Sequence, residues 1–204
     1  MGGTAKEYID SFIEDINKEI NWKYLKSGRR LKKQIKDIVF QIDFYSSKFN
    51  GMDLRIEIRS ECRVWCRKYG KALTIDNGIA FIPFLTDEGY WWDITSEENR
   101  EIVFDLLMKE IRAKALPAEA EMEKDYNNGL RYLVYHYGFS AYANSIRWMD
   151  EVLGREEARK AANEYSKSFT ESELKILKRY AEGKCDLVNE RNLKYMIVNH
   201  LIII

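Results

Sequence analysis

Residues 52–68 alternate between apolar and charged side chains, and this alternation constrains the fold more than any other feature of the chain. The even-numbered positions carry the apolar residues Leu54, Ile56, Ile58, Cys62, Val64 and Cys66. The odd-numbered positions, the other parity, carry the charged residues Arg55, Glu57, Arg59, Glu61, Arg63 and Arg67. Successive side chains of a strand point to opposite faces, so the segment is predicted to be a strand with one buried and one charged face. Strands of a parallel sheet covered on both sides are continuous apolar runs, so the pattern indicates an antiparallel sheet.

Shorter segments extend this strand into a meander. Residues 36–49 place apolar side chains on one parity and polar ones, including Gln41 and Asp43, on the other. Asn50-Gly51, a dipeptide typical of tight hairpin turns, joins them to the long strand. Further short strands are predicted at residues 22–26, 79–85 and 90–94.

Two adjacent tryptophans lie in the last of these short strands. Trp91 and Trp92 must point to opposite faces of the sheet because they are neighbours on a strand. Trp92 shares its parity with Ile94, so Trp92 is assigned to the core and Trp91 to the charged face.

Helical spacing of apolar residues precedes and follows the strands. Residues 4–20 form an amphipathic pattern, and Thr95 with Glu98 has the form of a capping box that opens a helix through Ala115. The expected buried stripe of that helix is Ile102, Val103, Leu106, Leu107 and Ile111. Beyond it only helical spacing recurs, and Thr170 with Glu173 forms a second capping box.

The predicted fold class is therefore α+β: an antiparallel β-meander of three to four strands flanked by helices, followed by an all-helical C-terminal extension. The change from strand to helical periodicity predicts an α+β domain at residues 1–116 and a helical region at 117–204.

Charge and cysteine content limit the function classes. The 33 basic and 33 acidic residues give a net charge of zero, which argues against a protein dedicated to wrapping nucleic acid. Cys62 and Cys66 lie on one strand roughly 13 Å apart, too far for a disulfide or a shared metal ion. Cys185 stands alone in the sequence. We expect reduced thiols, no metal and no cofactor.

The chain ends carry no membrane signal. The N-terminus lacks a charged region followed by an apolar stretch, and the apolar segment 197–204 is too short to span a bilayer. A cytoplasmic location without membrane partners is the expectation.

A series of short motifs occurs in a characteristic order: Tyr24-Leu25-Lys26-Ser27-Gly28-Arg29, Val39-Phe40-Gln41-Ile42-Asp43-Phe44, Ser46-Ser47-Lys48-Phe49-Asn50, Trp91-Trp92-Asp93-Ile94 and Ala115-Leu116-Pro117. In this order and spacing, residues of about 8–123 resemble a bacterial family known as domain of unknown function 4304 (DUF4304). The resemblance implies a compact α+β domain and supplies neither an activity nor catalytic residues. Residues 124–204 lie outside it.

The charged face of the long strand is the first candidate binding surface. It carries Arg55, Arg59 and Arg63, and an arginine–aromatic surface results if Trp91 and Tyr45 fall on the same side. Arginine beside aromatic side chains is a common anchor arrangement in protein interfaces. The alternative is a face that neutralises its own charges in solvent, or one that the C-terminal helices cover.

A basic run is the second candidate. Between residues 22 and 36, basic residues with no acidic residue among them are interleaved with two aromatic residues. The candidate nucleic-acid contacts are Trp22, Lys26, Arg29, Arg30, Lys32 and Lys33. Such a segment could track phosphates and stack on bases. A solvated sheet edge protected by lysines is the structural alternative. Residues 170–201 also vaguely resemble the DNA-binding helix-turn-helix of response regulators, although the stretch from Gly183 to His200 is shorter.

Catalysis has no recognisable signature. His136 and His200 are predicted on helices without a neighbouring Cys, His or carboxylate at ligand spacing, and no nucleotide-binding or hydrolase motif occurs. The sequence therefore favours a non-catalytic protein-interaction module of bacterial type. A nucleic-acid-binding protein that uses residues 22–36 or the last two helices is the alternative, and an enzyme without a recognisable motif comes third.

Overall fold

A computed structural model describes residues 4–49, 51–62, 91–139, 144–188 and 190–203, apart from the side chains of Arg59 and Cys62. The described residues belong to two compact units. Of the described residues, 4–49, 51–60 and 91–123 belong to the first unit, and 61–62, 124–139, 144–188 and 190–203 belong to the second. The predicted strand 79–85 and the continuation of the long strand over 63–68 lie outside the described residues.

Helix α1, Ala5–Ile20, opens the first unit and confirms the amphipathic pattern. Thr4 caps it: the Thr4 hydroxyl accepts the Glu7 N–H at 3.3 Å, and the Glu7 carboxylate accepts the Thr4 N–H at 2.7 Å. This reciprocal arrangement satisfies two backbone donors at the helix N-terminus. The buried residues are the predicted stripe Ile9, Phe12, Ile13, Ile16 and Ile20.

An antiparallel meander follows and confirms the predicted fold class. Within the described residues the sheet has five strands in the spatial order β1-β2-β3-β4-β5. They are β1 (Lys23–Leu25), β2 (Arg30–Ile35), β3 (Ile38–Ser46), β4 (Asp53–Cys62) and β5 (Trp92–Asp93), with a 3₁₀ turn at Lys26–Gly28. The apolar parity of β4 is buried at Leu54, Ile56 and Ile58, as predicted.

Strand β2 is absent from the sequence prediction, because Lys33 interrupts the alternation of apolar residues between Leu31 and Ile35. The strand pairs with β3 in register from Arg30 opposite Asp43 to Ile35 opposite Ile38. That pairing leaves a two-residue turn, in which Lys36 has φ 49°. A non-glycine residue is uncommon in this left-handed region, so the turn carries no local sequence signal.

Strand β3 is buried on both faces, in contrast to its alternating pattern. Gln41 and Asp43, assigned by parity to the polar face, are as inaccessible as their apolar neighbours. Asp43 forms an ion pair with Arg30 on the neighbouring strand and accepts a 3.4 Å hydrogen bond from Gln41. Neutralisation by partners makes burial of such polar groups tolerable, and alternation alone does not reveal it.

Helices α1, α2 and α3 belong to the same unit as the sheet. Helix α2 (Glu97–Glu110) continues through a π-helical turn at Ile111–Ala115 into α3 (Leu116–Lys124). The Arg100 guanidinium of α2 donates to the Asp15 carboxylate of α1 at 2.5 Å. It also lies 4.9 Å from the centre of the Tyr8 ring, a cation–π distance.

Two details of α2 differ from the sequence prediction. Its N-cap is Ser96, whose hydroxyl accepts the Asn99 N–H at 3.1 Å, rather than Thr95. Ile102 and Leu106 are exposed, and the buried stripe is instead Val103, Leu107, Met108 and Ile111. An apolar arc wider than the surface available to bury it leaves its outer residues in solvent.

The regular elements described after residue 124 are all helices: α4 (Tyr126–Tyr137), α5 (Ser145–Leu153), α6 (Arg155–Ser166), α7 (Glu171–Ala181) and α8 (Arg191–Val198). The predicted capping box at Thr170 and Glu173 is confirmed. Gly154, predicted to end α5, has φ 97°, a conformation that favours glycine. The last helix is shorter than the predicted span of residues 187–201.

Candidate functional site

The predicted surface arginine of β4 lies beside the exposed tryptophan of the sheet edge. Leu54 of β4 pairs with Trp92 of β5, so both lie on the same face of the sheet, where Leu54 is buried and Trp92 is half-buried. Arg55 follows Leu54 and Trp91 precedes Trp92 in the antiparallel register. Both therefore turn to the opposite face at neighbouring positions.

Tyr45 approaches the same position from the other side of β4. The Ser47 N–H donates to the Asp53 carbonyl at 2.9 Å and sets the register of the β3–β4 hairpin. Tyr45 lies two residues further from the hairpin turn than Ser47, and in this register it falls opposite Arg55. An aromatic residue, an arginine and an aromatic residue thus lie in order on β3, on β4 and directly before β5. We call these three residues the Tyr45–Arg55–Trp91 row.

The three side chains of the row are accessible to solvent. Tyr45 is 41% exposed and Trp91 is 45% exposed. The side chain of Arg55 is 42% exposed. Large aromatic side chains are mostly buried in folded proteins, so two of them on either side of an arginine form an uncommon surface.

Acidic groups surround the row. The Arg55 guanidinium lies 2.9 Å from the Glu57 carboxylate, and Asp53 pairs with Asp93 in the sheet register. Hydrogen bonds from Thr95, and a weaker one from Asn99, lower the pKa of the Asp93 carboxyl. The surface therefore combines one arginine with several carboxylates.

Arg59 and Arg63 complete the predicted set of arginines on this face. Arg59 lies in β4 on the same parity as Arg55, but its side chain is outside the described residues, and Arg63 is outside them altogether. The assignment of both to the binding surface stays a prediction.

Trp22, a predicted base-stacking residue of the basic run, is buried. Only 3% of it is exposed, and its ring lies 6.1 Å from that of Phe40. The indole N–H donates to the Glu119 carboxylate at 2.8 Å. In this fold the Trp22 ring offers no face on which a nucleic-acid base could stack.

Several cations of the basic run already bind carboxylates. Lys26 lies 2.9 Å from Glu14, and Arg30 pairs with the buried Asp43. Lys33 contacts two carboxylates of α3, Glu119 at 2.8 Å and Glu123 at 3.0 Å. The pKa values of Lys26 and Lys33 are raised by their hydrogen bonds to these carboxylates.

Arg29 and Lys32 complete the predicted phosphate-binding set. Lys32 is half-buried in β2 opposite Gln41. Arg29 donates from Nη1 to the Ser46 hydroxyl at 2.8 Å and binds no carboxylate among residues 4–49, 51–62 and 91–123. The basic run is therefore largely neutralised within the first unit, with Arg29 as the clearest exception.

The last two helices differ from a helix-turn-helix reader in length. Helix α7 begins at the predicted capping box, but α8 comprises only eight residues, Arg191–Val198. Apolar side chains such as Leu174 and Ile176 are partly exposed on α7. The resemblance to a DNA-binding motif stays a prediction.

Neither histidine is placed in a catalytic arrangement by the described contacts. The His136 ring lies 4.1 Å from the Tyr132 ring and 6.1 Å from that of Tyr137. Among the described residues no group of three or more His, Cys, Asp or Glu side chains could hold a metal ion. Cys185 is a free thiol whose sulfur lies 3.6 Å from the Ile176 carbonyl. The predicted separation of Cys62 and Cys66 lies outside what the structure describes.

Comparison with protein-family models, curated proteins and solved structures finds no match for this chain. The resemblance to DUF4304 therefore stays a prediction. Of the helices described, none has the length and apolar character needed to cross a bilayer.

Proposed function

We propose that this protein is a non-catalytic protein-interaction module that binds its partner through the Tyr45–Arg55–Trp91 row. The observation that supports the proposal is the exposure of two aromatic side chains on either side of an arginine, all three in or directly beside neighbouring strands of one sheet. Tryptophan, tyrosine and arginine are the residue types most enriched among the energetic anchors of protein interfaces.

The backbone that carries the row favours binding. All three residues lie in or directly beside paired strands, so little backbone freedom is lost when a partner docks. Tyr45 and Trp91 contribute large apolar areas with few rotatable bonds. Arg55 adds a guanidinium that can bind a carboxylate or a carbonyl of the partner. The partner's group can bind beside Glu57 or take its place.

The nucleic-acid alternative has less support from the same unit. Phosphates would have to displace the carboxylates that already bind Lys26, Arg30 and Lys33. Trp22 is buried, so one of the two aromatic residues of the run is not available to stack on a base.

Affinity capture from an extract of the native host tests the proposal. The bait is the full chain, compared with Arg55→Ala and Trp91→Ala variants and with Ile102→Ala, which removes an apolar side chain that is 51% exposed on α2. We expect quantitative mass spectrometry to show one partner lost by about tenfold or more from both row variants, because anchor residues contribute about 2 kcal/mol or more. Ile102→Ala should retain that partner.

The proposal is wrong if the Trp91→Ala and Arg55→Ala variants both retain every protein that the unaltered chain captures. Fluorescence anisotropy with mixed single- and double-stranded oligonucleotides provides the second arm, at about 0.15 M salt. Micromolar binding that falls steeply with salt, and is lost in an Arg29→Ala/Lys32→Ala variant, would establish the nucleic-acid function instead. This variant leaves the ion pairs of Arg30 and Lys33 intact.

A further inference from the structure

A pocket of about 460 Å³ opens at the end of the sheet where the 3₁₀ turn meets the last residues of β3. Its polar lining consists of three cations, two hydroxyl groups and one phenol, contributed by Lys6, Lys26, Arg29, Ser27, Ser46 and Tyr45. None of the residues that line the pocket is acidic. A concave site with convergent donors and this sign of charge is complementary to an anion.

Hydrogen bonds position Arg29 at this pocket. Its φ of 43° places it in the left-handed region, where a non-glycine residue is uncommon. The conformation is fixed from both sides, because the Arg29 N–H donates to the Lys26 carbonyl at 3.3 Å and the Phe44 N–H donates to the Arg29 carbonyl at 3.0 Å. The guanidinium is oriented by its 2.8 Å hydrogen bond to the Ser46 hydroxyl.

The charge of the pocket is only partly compensated. Lys26 is paired with Glu14, which lies outside the lining. Within the part of the chain that the structure describes, Lys6 and Arg29 have no carboxylate partner, and Arg29 binds only a neutral hydroxyl. Arg29 therefore differs from Arg30 and Lys33, whose charges are satisfied inside the same unit.

We propose that this pocket binds a phosphoryl group. A phosphomonoester carries close to two negative charges near neutral pH, so it matches the two uncompensated cations. The guanidinium can bind two phosphoryl oxygens with parallel N–H donors, the lysines supply further positive charge, and the serine hydroxyls donate to the remaining oxygens. A singly charged carboxylate would leave one of these cations without a partner.

The size of the pocket leaves room for more than the phosphoryl group. Its volume lies in the range of about 300–1,000 Å³ that is usual for small-molecule sites. Tyr45 stands at the pocket and is partly exposed, so its ring can pack against the organic part of the ligand. The group can come from a free small molecule such as a mononucleotide or from a phosphorylated side chain. This proposal does not depend on the protein-binding proposal, although both involve Tyr45.

Titration of the full chain with phosphoryl probes at constant ionic strength tests the site. The probes are inorganic phosphate, adenosine monophosphate and a short phosphoserine peptide, with the unphosphorylated peptide and adenosine as matched controls. We expect calorimetry or amide chemical shifts to show saturable binding, with Kd on the order of 1 mM or tighter for at least one phosphoryl probe. The largest shifts should fall on residues 26–29 and 44–46.

Variants separate a built site from general attraction. Arg29→Ala should weaken the binding about tenfold or more, because charge-assisted hydrogen bonds to the guanidinium are lost. Lys6→Ala should weaken it measurably without touching a described contact, which keeps the test valid if Arg29→Ala fails to fold. Lys23→Ala removes one exposed lysine of the same sheet outside the lining and should leave Kd within about twofold.

Two results overturn the proposal. One is the absence of saturable binding for all three phosphoryl probes at concentrations up to about 10 mM, because the Kd would then be far weaker than a specific site gives. The other is an equal loss of binding in Lys23→Ala, Lys6→Ala and Arg29→Ala, which indicates unspecific charge attraction. Tighter binding of the mononucleotide supports the site and identifies a small molecule as its source. Tighter binding of the phosphoserine peptide supports the site and identifies a phosphorylated protein.

Discussion

The indole N–H of Trp22 donates to the carboxylate of Glu119 at 2.8 Å, and the two residues are 97 positions apart in the chain. The same carboxylate lies 2.8 Å from the Lys33 ammonium, so one glutamate binds two residues of the basic run. Only 12% of the Glu119 side chain is exposed. The bond therefore links the beginning of the sheet to helix α3 in a mostly buried environment.

Replacing Glu119 with alanine should lower the free energy of unfolding by about 1–3 kcal/mol, because the buried indole N–H loses its acceptor. Urea denaturation monitored by tryptophan fluorescence measures the loss. Glu123→Ala is the matched control, since Glu123 binds the same lysine but is 54% exposed. It should stay within about 0.5 kcal/mol, as exposed ion pairs do. Equal losses in both variants would contradict this account.

The long-range contacts of Glu119 have no local signal in the sequence. Periodicity is local, so helix α1 and the buried parity of β4 followed from it directly. Strand β2 was missed because Lys33 interrupts its apolar parity, and the carboxylates that neutralise Lys33 come from a distant helix. The burial of Trp22 has no local signal either, because the Glu119 carboxylate that accepts its indole N–H lies on the same distant helix.

The candidate sites divide in the same way. Parity alone indicated that Trp91 and Arg55 share a face, but their adjacency required the register between β4 and β5. The phosphoryl pocket had no signal in the sequence as a unit. Lys6 and Ser46 reach it from separate elements, and one of the two backbone hydrogen bonds that hold Arg29 comes from the distant Phe44.

Truncation of a core residue of β4 should be costly. Ile58 is 2% exposed, so Ile58→Ala should lower the free energy of unfolding by about 2–5 kcal/mol through lost burial and a cavity. Lys23→Ala, an exposed change on β1, should stay within about 0.5 kcal/mol. Denaturant melts at one temperature compare the two. If Ile58→Ala proved as mild as Lys23→Ala, the assignment of the buried face would be wrong.

Asn192 supports the second unit from inside. Its side-chain carbonyl accepts the Ile146 N–H at 3.1 Å, and its amide donates to the Ser145 hydroxyl at 3.0 Å and to the Gly138 carbonyl at 3.3 Å. Asn192→Leu, similar in volume but without these groups, should cost at least about 2 kcal/mol, because several buried partners lose a bond. Asn199→Leu at the end of α8 should cost less, and thermal unfolding of both variants shows whether the order holds.

Gly138 is required by space rather than by an unusual backbone angle. A Cβ atom at this position would lie 2.8 Å from the Val134 carbonyl oxygen and 2.9 Å from the Ser145 Cβ. Gly138→Ala should therefore destabilise the protein by about 1–3 kcal/mol, although alanine is the better helix former. Gly28→Ala meets no atom within 4 Å and provides the control. A neutral or stabilising effect of Gly138→Ala in the same denaturation assay would show that the end of α4 can move.

Alkaline pH should weaken the second unit through Tyr195. Burial, followed by the hydrogen bond from its hydroxyl to the Asp150 carboxylate at 2.8 Å, raises the pKa of Tyr195 from 10.0 to about 12. Because the pKa is raised in the folded state, the stabilisation is complete below pH 10.0 and is lost as pH rises through about 12. The difference in unfolding free energy between the wild type and Tyr195→Phe should shrink across that interval.

Tyrosine-selective NMR gives the pKa of Tyr195 directly, with Tyr195→Phe for assignment, and Asp150→Asn should move this pKa back toward the ordinary value. A Tyr195 resonance that titrates at the ordinary pKa in the wild type would show that the hydroxyl is not held by Asp150.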